Sequence, residues 1–84
     1  MKNKLLVEIY LPAAGRSFDM RIPADSRMGE INALVASIAA DLSGGSYRAT
    51  GTSVLVNAAD GRIFDTSMTP SDLEIKNGTK LILI

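Results

Sequence analysis

An 84-residue chain with 46% hydrophobic residues has room for one modest core, burying roughly 60–65% of the surface its unfolded form exposes, and is too apolar for a disordered segment. Nine basic residues balance nine acidic ones and both signs are spread along the chain, so no basic stripe exists to release counterions from nucleic acid. With no cysteine and no histidine, disulfides, thiolate metal sites, a cysteine nucleophile and the commonest general base are excluded.

The N-terminal MKNKLLVEIYLP breaks its apolar run at Glu8 and Pro12, too soon for a signal peptide or for a membrane helix of about 20 residues. No direct membrane insertion is expected, and the missing cysteines tilt the expected location towards the cytoplasm. Residues 4–11 read as a strand, with Leu5, Val7 and Ile9 on one face and Leu6, Glu8 and Tyr10 on the other. A turn over 12–17 leads into a second strand, 18–22, where Phe18, Met20 and Ile22 point inward and Asp19 and Arg21 outward. Pro23 stops it. Asp25 or Ser26 is the expected cap of a helix over 27–42, whose apolar residues 28, 31, 34, 35, 38 and 42 form one stripe. Ser43-Gly44-Gly45-Ser46 ends that helix, with Gly44 suited to the left-handed position beyond the cap.

A polar loop over 46–52 precedes a short strand at 53–56, a turn at 58–61 and a brief returning strand at 62–64. Thr69-Pro70-Ser71-Asp72-Leu73 predicts a single capped helical turn. Asn77-Gly78 then turns the chain into a last strand, 79–84. The order β-β-α-β-β-(short helix)-β supplies one amphipathic helix for one apolar sheet face. The expected class is therefore α+β, a two-layer roll with a mixed sheet on one long helix, built as one domain over 1–84.

That order and spacing resemble the ubiquitin-like β-grasp fold, most clearly in VLVNAADGRIFD followed by TPSDLEIKNGTKLILI. Within that fold the chain is similar to the YukD/EsaB-like proteins that accompany bacterial type VII secretion systems. The matching stretches are Ile75-Lys76-Asn77-Gly78-Thr79-Lys80-Leu81, with Thr79 where the family commonly has Asp, and Leu55-Val56-Asn57 with Arg62-Ile63-Phe64. The resemblance implies a non-catalytic accessory or regulatory module. Its partner would be a protein, either a secretion-system subunit or a regulator. Related domains also occur fused to membrane channels.

Ubiquitin-type modifiers and sulfur carriers present a flexible Gly-Gly tail to an adenylating enzyme, whose narrow channel leaves no room for side chains. This sequence ends on Leu83-Ile84, so conjugation and thiocarboxylate chemistry are not expected; a degenerate modifier or sulfur carrier is the rival reading. Other chemistry has little footing. Asp60, Asp72 and Glu74 have no partner base, and the Gly44-Gly45 segment follows a helix instead of opening one and lacks the Gly-Lys-Ser/Thr finish of a phosphate loop. No catalytic, cofactor or metal residue is expected. Tyr10 and Tyr47 are too isolated for a stacking platform.

Strand parity leaves a face. If Leu55, Leu81 and Leu83 are buried, Val54, Val56, Ile82 and Ile84 point outward and join Leu6 in an apolar patch, the candidate protein-binding face. With the parity reversed, Leu55, Leu81 and Leu83 would be the patch. Self-association through this sheet face, giving a homodimer, is a further rival.

Overall fold

The computed structural model describes residues 3–48 and 53–84. Strands β1 (Lys4–Leu11) and β2 (Arg16–Pro23) form a hairpin, helix α1 (Met28–Leu42) follows, and β3 (Leu55–Asn57) and β4 (Lys80–Leu83) complete the described elements. The sheet order is β2-β1-β4-β3, with β1 and β4 parallel at its centre and antiparallel pairs on either side.

The hairpin is tighter than the sequence suggests. Gly15, at φ +66°, adopts the left-handed conformation that glycine tolerates without strain and donates its N–H to Leu11 O at 2.8 Å. Pairing therefore starts at Leu11–Arg16, and β2 gains two residues at its start.

Helix α1 begins at Met28 without the expected Asp25 or Ser26 cap; Arg27 stands at the cap position and makes no side-chain capping bond. A helix start has donors that need partners. Here Met28 N–H reaches Met68 O at 2.8 Å and Gly29 N–H reaches Thr66 O at 3.0 Å. Asp65 shapes the turn that presents these carbonyls, accepting from Ser67 N–H at 2.9 Å and Ser67 Oγ at 2.7 Å. Those bonds favour the ionised carboxyl and hold its pKa below the ordinary value. At the far end Gly44, at φ +64°, ends the helix as the sequence implies.

The helix is rolled about its axis relative to its expected stripe. Its buried residues are Met28, Ile31, Asn32, Val35, Ala36 and Ala39, whereas Leu34 and Leu42 remain 45% and 47% exposed. Asn32 explains the roll: its Oδ1 accepts the buried Leu55 N–H at 3.3 Å. That strand amide lies on the side of β3 away from β4, because the flanking residues carry the ladder bonds, Val54 and Ile84 exchanging both of theirs at 3.1 Å. A satisfied buried donor outweighs placing one more leucine inside.

The late part of the chain corrects two expected elements. The returning strand at 62–64 is reduced to an isolated bridge, Val56–Ile63, with Asn57 N–H on Arg62 O at 2.9 Å. Beyond Ile63 the chain leaves the sheet to reach the start of α1. The expected helical turn at 69–73 is a hydrogen-bonded turn and not a helix. Thr69 and Asp72 do cap each other reciprocally, Asp72 N–H to Thr69 Oγ1 at 3.1 Å and Thr69 N–H to Asp72 Oδ2 at 3.3 Å. Ser71 is tied to Ala24 O, and Glu74, at φ +59°, bends the chain away before a helix can propagate.

The final turn docks on β1 as well as turning. Asn77 Oδ1 accepts Leu6 N–H and Gly78 donates to Leu6 O, both at 2.8 Å. The core lies between α1 and the inner sheet face, with Ile9, Leu55, Leu81 and Leu83 at its centre. Tyr47 joins it and donates its hydroxyl proton to Ser53 Oγ. Of the polar loop expected over 46–52, residues 49–52 lie outside the described residues.

Candidate functional site

Burial of Leu55, Leu81 and Leu83 sets the parity of the two late strands. Residues that pair across strands share a face, so the opposite side of the sheet can be read in rows. One row runs Ser17, Tyr10, Ile82, Val56, Ile63 from β2 to the bridge beyond β3. The next towards the sheet end holds the paired Val54 and Ile84. On the other side lies a charged row, Asp19, Glu8, Lys80, and beyond it the pair Arg21–Leu6.

These rows divide the five residues of the expected patch. Val54, Val56, Ile82 and Ile84 are contiguous. Leu6 is on the same face and 44% exposed, but the Glu8–Lys80 row separates it from the others. Val56 is only 7% exposed, because Ile82 flanks it on one side and Ile63 on the other. It supports the surface from below. What a visitor would meet is Tyr10, 41% exposed, Ile63, 65% exposed, and Ile84, 58% exposed, around a half-buried Ile82 and Val54.

Tyr10 and Ile63 are thus part of the apolar surface although the patch read from the sequence omits them. Tyr10 was legible, since it shares the parity of Leu6 on β1. Ile63 was hidden by the bridge, which a single apolar residue between Arg62 and Phe64 does not announce. Beside Ile63 a shallow depression is lined by Asn57, Asp60, Arg62, Phe64, Asp65 and Leu73. Asn57 and Asp60 are committed there to the local turn, accepting from Ala59 N–H at 2.8 Å and Arg62 N–H at 3.0 Å.

Among the described residues no grouping of acidic side chains could hold a metal ion, and no helix is long and apolar enough to cross a membrane. The face offers an apolar surface with a charged border, suited to contact with a protein.

Residues 6–83 match the model of a family described as the WXG100 protein secretion system (Wss) protein YukD. The chain belongs to the YukD family. No curated protein matches it in sequence. Solved structures confirm the fold of this YukD member as ubiquitin-like β-grasp. The ubiquitin of Caldiarchaeum subterraneum superposes with a TM-score of 0.74 at 17% identity, covering 98% of this chain and 92% of that one. The ubiquitin-like domain of the type VII secretion protein ECCD1 of Mycobacterium tuberculosis gives a TM-score of 0.68 at 16% identity, with 98% of each chain covered. The ubiquitin-like domain of EccD5 from Mycobacterium xenopi gives 0.71 at 14% identity, covering 98% of this chain and 93% of that one. The YukD match links the chain to type VII secretion.

Proposed function

We propose that this YukD-family domain is a non-catalytic protein-interaction module, an accessory or regulatory component of a type VII secretion system that works in the cytoplasm. The single observation behind this reading is the apolar outer row Tyr10–Ile82–Val56–Ile63 with Val54–Ile84 beside it. Large aliphatic and aromatic side chains gathered on one sheet face lose little on being covered and gain hydrophobic free energy from a partner. The partner is a subunit or regulator of the secretion machine. Leu6, across the charged row, would be a peripheral contact.

The test uses positions that are exposed and can be changed without opening the core. Ile63→Asp and Ile84→Asp variants and the unchanged chain would be used to capture partners from native cells with membranes solubilised. The expected result is a secretion-machine component held by the unchanged chain and lost with either folded variant. Retention of that component by both variants would place the contact elsewhere. Capture of an adenylating enzyme, or a covalent adduct on the chain, would overturn the non-catalytic reading in favour of a modifier or sulfur carrier.

A further inference from the structure

The exposed flank of α1 is a second apolar surface, independent of the outer sheet face. Leu34, Ile38 and Leu42 lie four residues apart on one side of the helix. Asn32, on the other side, reaches β3, so this flank faces the β2 end of the sheet. Two contacts place it there: Arg16, which opens β2, bonds Leu42 O at 3.5 Å, and Pro23, which closes β2, shares a depression with Ile31 and Leu34. The stripe thus runs alongside β2, where half-buried Phe18 carries the Arg16 guanidinium over its ring at 4.9 Å.

Strand β2 is itself incomplete. Among the described residues its one strand neighbour is β1. The bond from Ala24 N–H to Asn3 O at 2.9 Å continues the β1–β2 ladder. In an antiparallel ladder bonded pairs alternate, so the even residues of β2 bond to β1. Ser17, Asp19, Arg21 and Pro23 therefore turn their backbone groups to the open edge. On the same edge Asp19 sits opposite Glu8, an unfavourable like-charge pair, and its open side has room for a cation.

We propose that two copies of this chain join β2 edge to β2 edge, antiparallel about a two-fold axis, with the Leu34–Ile38–Leu42 flanks of the two helices meeting on the inner side. The strand's own charges select the register. Pairing Asp19 with Arg21 of the other copy, twice, puts a guanidinium beside each crowded carboxylate. A shift of one pair in one direction places Asp19 against Asp19, and in the other Arg21 against Arg21. In the favoured register Ser17 N–H meets the Pro23 carbonyl, while the missing proline N–H leaves the Ser17 carbonyl to solvent at each end of the ladder, and Phe18 and Ile22 meet across the axis to extend the core. The outer faces of both copies stay open, so the dimer would carry two partner sites side by side.

Sedimentation of the full chain from about 1 µM to about 1 mM should show a monomer–dimer equilibrium. Asp19→Arg should weaken the dimer by about tenfold or more, since two attractive cross-strand pairs become repulsive. It should leave the monomer at least as heat-stable, because the clash with Glu8 is relieved. Adding Arg21→Asp in the same chain should restore dimerisation. The cysteine-free sequence allows a register test: Ser17→Cys and Pro23→Cys chains, mixed and oxidised, should cross-link to each other because bonded pairs stand about 5.5 Å apart. A chain that remains monomeric throughout, a dimer indifferent to Asp19→Arg, or a mixture that fails to cross-link would overturn the proposal.

Discussion

Asn32 offers the sharpest test of how this fold is specified. Its side chain is 7% exposed and accepts the Leu55 N–H. Replacing it with alanine leaves a buried backbone donor without a partner, which costs about 1–3 kcal/mol. For a domain of this size that corresponds to a melting point lower by about 5–20 °C. Thermal unfolding followed by circular dichroism reads the loss, and amide exchange at Leu55 reads its cause, since that proton should lose protection before those of β1. Asn32→Leu separates hydrogen bonding from packing: leucine fills the space but accepts no bond, so it should be destabilised to a similar degree. If Asn32→Leu melts with the unchanged chain and the Leu55 amide stays protected, the bond does not set the roll of the helix and the reasoning fails.

Two further outcomes are expected. Glu74 is exposed and held at φ +59°, a conformation that costs an L-residue about 1–2 kcal/mol; Glu74→Gly should stabilise by about 0.5–1 kcal/mol after the extra unfolded-chain entropy of glycine is counted, and a lower denaturation midpoint would contradict this. Asp65 has a folded pKa below its unfolded one because of its bonds to Ser67. Its stabilising effect is therefore present above the unfolded value of about 3.8 and lost as pH falls through the lower folded value. The stability gap between the unchanged chain and Asp65→Asn should shrink across that acid range, and a gap that widens there would refute the assignment.

Much of the architecture was legible because local and global signals agree. The alternation Phe18-Asp19-Met20-Arg21-Ile22, the glycine after α1 and Asn77-Gly78 each encode one backbone geometry. What was hidden depends on distant parts of the chain. The start of α1 is satisfied by carbonyls of Thr66 and Met68, some forty residues away, so the local Asp25-Ser26 signal carried no weight. The roll of α1 follows from one amide on β3, and periodicity alone could not choose Asn32 over Leu34 for the interior. The outer face followed from the period of two, while the cover of Val56 by Ile63 and the isolation of Leu6 needed the strand order.

The central pairing of β1 with β4 also bears on the timing of synthesis. Glu8 and Lys80 are partners in the register, and closing a loop of that length costs about 4 kcal/mol of chain entropy beyond the constant term. Among the described residues the strand that pairs with β3 is β4, and Leu55, Leu81 and Leu83 become buried together. The β1–β2 hairpin and α1 can form as they leave the ribosome, but they hold an unfinished sheet whose middle strand is missing. Commitment to the native state must wait for residue 83 to emerge, so a nascent chain paused in the 60s should expose Ile9 and Leu11 to chaperones.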